Sequence, residues 1–277
     1  MLRKMVTCSV LSAVMALVGC SAGSAHRHEL DQFGEVYYLD GAGGGSVLTN
    51  WGGGVQSGLK VAGYPGDFNT FVWNTGLGVG ADQSAGVEYK REQARKLALR
   101  IQNYMDEHPD RPVTLVGLSA GTAVAVFTLE VLSVDRPVDT VVLLGSSISS
   151  HYDMMEALRR VRGRVHVFTS ERDAVLGVAV AVAGTADRQF CGACSAGLRG
   201  FHVPPNPSDE TRRLYSKIEN VAWRPEFAAA GNLGGHTDAV NTTFVRQYVA
   251  PLLWHEGPRF IEAGVQPALE KPDGARG

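Results

Sequence analysis

The sequence predicts an α/β fold, a mainly parallel central sheet with helices on both faces and no large lid domain. Three observations predict it. Candidate strands and helices alternate along the chain, the pattern of a parallel sheet with covering helices. The strand at 113–116 is too short and too apolar for a half-exposed strand and reads as a central parallel strand, with further strands at 138–144 and 165–169. The 33 glycines fall in clusters between apolar runs, where turns belong. A chain of 277 residues can bury a core that needs no staples.

Taken in order, residues 35–40 (Glu-Val-Tyr-Tyr-Leu-Asp) form a β-rich run ending in the glycine cluster 41–45. A second glycine cluster, 52–54, follows Trp51, and no helix is expected to open there. A short strand is expected at 71–73. From Ser84 the period changes: Val87, Ala94, Leu97, Ala98, Ile101, Tyr104 and Met105 share one face of an amphipathic helix that ends at His108-Pro109. After the strand at 113–116, residues 122–132 hold no proline or glycine and read as a buried helix. A strand at 138–144, a helix at 153–161 and a strand at 165–169 follow. Residues 175–207 carry no clear period. A last strand is expected at 218–223 and a helix at 238–253, with Pro251 near its end.

The ends are of another kind. Arg3 and Lys4 precede an uncharged apolar run at 5–18, too short to span a bilayer as a mature helix. It reads as an export signal. Its end, Leu17-Val18-Gly19-Cys20, resembles the bacterial lipobox, which implies lipid modification of Cys20 after removal of the preceding residues. The expectation is therefore a signal peptide with lipobox at 1–20, a linker at 21–34, a folded domain at 35–254 and a poorly ordered tail at 255–277. The protein would sit in the cell envelope, held on a membrane surface by acyl chains. Cleavage after Ala25 and soluble secretion is the alternative. Net charge is −2, with Lys and Arg scattered, so no basic stripe points to nucleic acid. Cys191 and Cys194 are too few for a zinc site, and in an exported chain they read as a local disulfide or as two unpaired thiols.

The chemistry gathers around Gly117-Leu118-Ser119-Ala120-Gly121. The letters G-x-S-x-G are weak in so glycine-rich a chain; the strand before them and the helix after them carry the signal. A serine hydroxyl becomes a nucleophile when a sharp strand-to-helix turn exposes it beside a base. A histidine serves as that base, and a carboxylate fixes its tautomer. Both must come from loops at the carboxyl ends of strands. Asp173, directly after the strand at 165–169, is the candidate carboxylate, with a helix N-cap as its other reading. Glu171 reads as solvated surface. Of eight histidines, His236 stands on a flexible Gly234-Gly235 loop before the last helix and is the candidate base. His151, after another strand end, is a candidate substrate contact in the same cleft. The oxyanion donors would be the backbone N–H of Ala120 and of Ala42 or Gly43.

The order Ser119, Asp173, His236 resembles the α/β-hydrolase superfamily over about residues 37–253. The resemblance implies a Ser-Asp-His triad, an acyl-enzyme intermediate and no cofactor, acting on a small-molecule ester or lipid, the alternatives being a thioester, an amide or acyl transfer. Two features depart from it. Asp40-Gly41 stands where lipases and esterases often carry His-Gly, and the short gap from Ser119 to Asp173 leaves no room for a large lid. Two rivals are a dinucleotide-binding oxidoreductase, suggested by the glycines at 41–45, and a non-catalytic hydrolase-like lipoprotein that binds a ligand or partner. Against the first stand the absence of an expected helix after the glycines and of an acidic residue ending a second strand.

Overall fold

The structure, a computed structural model, describes residues 33–44 and 49–254. The expected export signal, Cys20, most of the expected linker and the expected tail lie outside them. Six parallel strands form one sheet in the order β2-β1-β3-β4-β5-β6: β1 (Glu35–Leu39), β2 (Asp67–Thr70), β3 (Val113–Leu118), β4 (Thr140–Leu144), β5 (Val165–Thr169) and β6 (Ile218–Ala222). Side chains alternate between faces along each strand. Tyr37, Leu39, Leu115, Val141, Leu143 and Val167 meet α3 (Val87–Glu107) and α4 (Gly121–Val131) in one apolar core. Val36, Tyr38, Val116, Leu118, Val142, Leu144 and Phe168 meet the other core, which contains α1 (Trp51–Val61) and the C-terminal helical segment. Helices therefore cover both faces, as the buried central strands require.

Chain order reverses at β1, with β2 on one side and β3 on the other. Such a switch point opens a crevice beyond the carboxyl ends of the strands. The loops leaving β1, β3, β5 and β6 meet there.

Three expectations are corrected. The strand expected at 71–73 lies earlier, at Asp67–Thr70, where a polar sequence suits an edge. The apolar residues after it leave the sheet, and buried Trp73 donates its indole N–H to the Asp40 carbonyl at 2.8 Å. A helix does open after the first glycine cluster. Asn50 caps α1 by accepting from the Gly53 N–H, and the glycines of α1 admit close neighbours. A Cβ on Gly54 would lie 2.2 Å from the Val240 carbonyl oxygen, and one on Gly58 would lie 2.5 Å from Val245 Cβ. The helix expected over 238–253 is broken. It consists of a 3₁₀ turn Asp238–Val240, an α turn Thr242–Phe244 capped by Asn241, a π turn Val245–Val249 and a 3₁₀ turn Ala250–Leu253 that holds Pro251.

The segment after β5 forms α6 (Ala174–Ala183) and the short α7 (Ala196–Arg199), with Cys191 and Cys194 joined in a disulfide between them. Among the described residues no helix is long and apolar enough to cross a membrane.

Candidate active site

Ser119 stands between the end of β3 and the start of α4 with φ of 51°, a left-handed conformation that a non-glycine residue adopts only under constraint. Its N–H donates to the Leu144 carbonyl at 2.9 Å, and its own carbonyl accepts from the N–H of Thr122 at 3.1 Å. Both motif glycines are required by crowding. A Cβ on Gly117 would lie 2.9 Å from Thr122 Cα, and one on Gly121 would lie 2.4 Å from the carbonyl oxygens of Leu39 and Asp40. The turn is thus pressed against the end of β1.

The three predicted side chains meet. His236 Nε2 lies 2.8 Å from Ser119 Oγ, and His236 Nδ1 lies 2.7 Å from Asp173 Oδ2. A carboxylate only accepts, so Nδ1 carries the proton and Nε2 faces the serine hydroxyl as acceptor. The two oxygens of Asp173 have different partners. Oδ1 accepts from the Leu176 N–H at 2.9 Å and caps α6, while Oδ2 takes the imidazole.

The loop that carries His236 is fastened from three sides. Asp238 Oδ2 accepts from the N–H groups of Leu233 (3.0 Å) and Gly235 (2.8 Å). Ser170 Oγ donates to the Gly234 carbonyl at 2.7 Å, and Asn232 Oδ1 accepts from the Gly234 N–H. Gly145 closes the site from β4: a Cβ there would lie 3.4 Å from His236 Nδ1 and 3.5 Å from Asp173 Oδ2. Sequence reasoning missed these supports, because isolated polar residues in loops carry no period.

The loop after β1 abuts the serine, since a Cβ on Gly41 would lie 3.3 Å from Ser119 Cβ. Three of the N–H groups at 41–44 are used within the protein. Gly41 donates to Asp40 Oδ1 (3.0 Å), Gly43 to Asp82 Oδ2 (2.8 Å) and Gly44 to the Gly41 carbonyl (3.0 Å). Among the described residues nothing accepts from the N–H of Ala42 or of Ala120. Of the two expected candidates on this loop, Gly43 is therefore occupied and Ala42 is left. The helix whose expected absence argued against a dinucleotide site exists, so that argument falls.

His151 does not share this site. It lines a separate cleft of about 360 Å³ with Arg91, Phe127, Tyr152, Asp187 and Gln189, and none of the three candidates lines it. Ser149, two residues before His151, is held by a bridge to Ser195 and by the 2.9 Å bond from its N–H to Asp187, and His151 is absent from the lining of the pocket that holds Asp173 and His236. The expectation of a substrate contact in the same cleft is corrected on that ground. His166, inside β5, is buried beside Glu219, 3.2 Å away. Among the described residues no three His, Cys, Asp or Glu side chains are grouped as ligands to a metal ion would be.

No protein-family model and no curated protein sequence matches this chain. Solved structures do. A cutinase-like protein from Cryptococcus sp. is 17% identical over 79% of this chain and 94% of its own, with a TM-score of 0.42. The catalytic core domain of an acetyl xylan esterase from Trichoderma reesei is 14% identical over 80% and 96%, with a TM-score of 0.41. A Trichoderma reesei cutinase in complex with a phosphonate inhibitor is 13% identical over 91% and 94%, with a TM-score of 0.38.

Proposed function

We propose that this chain is a serine hydrolase that cleaves a carboxylic ester, a lipid or thioester included, through an acyl-enzyme. What supports the reading above all is the unbroken hydrogen-bonded line from Ser119 Oγ through His236 to Asp173, at 2.8 and 2.7 Å. Ser119 Oγ attacks the carbonyl carbon and passes its proton to His236 Nε2. The carbonyl oxygen becomes an oxyanion, held by the N–H groups of Ala42 and Ala120. Asp173 holds the imidazolium by its Nδ1–H. The C–O bond to the alcohol breaks, and His236 returns the proton to the leaving oxygen. Water then attacks the acyl-serine by the same route, giving the carboxylic acid and free Ser119.

A fluorophosphonate probe tests the assignment. It labels the wild type and spares Ser119→Ala; equal labelling of the two proteins overturns it. A panel of short- and long-chain p-nitrophenyl esters separates hydrolysis from mere binding, because a properly folded protein inert to every ester would favour a non-catalytic binder.

The site would work at a membrane surface in the cell envelope, tethered through acylated Cys20. In a bacterial host, Cys20→Ser is expected to abolish palmitate incorporation and move the protein from the membrane to the soluble fraction. Unchanged fractionation would reject the anchor.

A further inference from the structure

We infer that Asp82 is the positioning residue of the oxyanion loop, a role that rests on the serine-hydrolase reading of the site. Asp82 lies on α2 (Val79–Ser84), 37 residues before the nucleophile, and is 1% exposed. It belongs to none of the sequence motifs. An ionised carboxylate offers about four lone-pair directions, and here all four are used. Oδ1 accepts from the N–H of Thr75 and from Thr75 Oγ1, both at 2.6 Å. Oδ2 accepts from the Gly43 N–H at 2.8 Å and from Asn74 Nδ2 at 2.9 Å. Asn74 Nδ2 also reaches the Gly41 carbonyl at 3.2 Å. The amide cannot be turned over, because both of its partners only accept.

One carboxylate therefore ties the chain leaving β2 to the residue after Ala42, and its neighbour Asn74 ties the residue before. Ala42, with its unspent N–H, is held between the two. Gly43 has φ of 75°, and a Cβ there would lie 2.2 Å from Val79 Cγ2, so the loop is packed directly on the helix that carries Asp82. Burial raises the Asp82 pKa, but the bonds from Thr75, Asn74 and Gly43 outweigh it and hold the carboxyl below its ordinary value. An amide cannot replace the carboxylate. Whichever way an asparagine side chain were turned at this position, its NH₂ would confront a backbone N–H, that of Thr75 or that of Gly43.

The test compares Asp82→Asn and Thr75→Ala with the wild type on p-nitrophenyl acetate, with competent sites counted by fluorophosphonate titration. A displaced oxyanion donor lowers kcat per labelled site by about 10²-fold in Asp82→Asn and by a smaller factor in Thr75→Ala, with KM within about threefold. A merely structural role lowers the melting temperature and the number of labelled sites but leaves kcat per site unchanged, and that result overturns the inference. If Asp82→Asn does not fold, Thr75→Ala decides on the same criterion, since it removes one of the four bonds and touches no reacting atom. A wild type that neither labels nor turns over ester sinks the hydrolase reading itself, and the two failures are thereby distinct.

Discussion

At the scale of the residue, Asp173 carries two readings of the sequence. The position after β5 predicts a helix cap or a triad carboxylate; one oxygen caps α6, the other faces His236, and the triad role is the proposal. Substitution should separate them. In Asp173→Asn the side-chain oxygen can still cap α6, but the amide NH₂ faces His236 and favours the wrong tautomer. The expected result is a loss of about 10³–10⁴ in kcat with the melting temperature nearly unchanged. Asp173→Ala loses the cap as well, and should be destabilised by a further ~1 kcal/mol in denaturant unfolding. Equal stability of the two variants would mean that the cap contributes nothing. Ser119, Asp173 and His236 were legible because each follows a strand end at which this kind of chemistry has to assemble. Asp82, Asn74 and Asp238 were not. Their partners are backbone groups distant in sequence or in irregular loops, and no spacing rule marks such a bond.

At the scale of the element, legibility followed burial. β3 covers the run 113–116 that the apolar pattern predicts, because a strand buried on both faces favours apolar residues throughout. Helix α1 was missed because glycine disfavours helices intrinsically, while here it is selected for contact. The letter cannot distinguish a glycine that admits a neighbour from one that does not, and two substitutions make the difference measurable. Gly54 faces the Val240 carbonyl at a distance no Cβ can occupy, so Gly54→Ala should destabilise by about 1–3 kcal/mol. Gly177, inside α6, has open space where its Cβ would be, so Gly177→Ala should stabilise by about 0.5–1 kcal/mol through helix propensity. Urea unfolding of both variants checks the pair, and a stabilising Gly54→Ala would contradict the packing of α1 on residues 238–249. The broken C-terminal segment is a similar case. Its apolar period resembles a helix, but Asn241 leaves the helical conformation and divides it, and the part after Asn241 passes from α to π to 3₁₀ geometry.

At the scale of the whole molecule, the sheet order places the loops of β1, β3, β5 and β6 around one crevice, and the two cores hold the sheet from either side. One charge is misplaced in that plan. Lys90 on α3 is 1% exposed, and its ammonium donates to the Ala85 carbonyl. Burial, reinforced by Arg188 and opposed by Asp82, pushes its pKa down to about 8. The sign of the effect on stability follows. Between about pH 8 and the unfolded value of ~10.4, the unfolded chain binds the proton and the folded chain does not, so this group makes stability rise with pH. Below pH 8 both states are charged and the fold bears the full cost of the buried ammonium, no more than about 3 kcal/mol. Lys90→Met removes the charge while keeping the length of the side chain. The variant should therefore be more stable than the wild type at pH 7, and its advantage should shrink steadily as pH rises from 8 to 10.5. Chemical denaturation at several pH values measures the difference directly. A gap that stays constant across that range would show that Lys90 keeps its proton in the folded protein, and that the ammonium is better solvated than its burial implies.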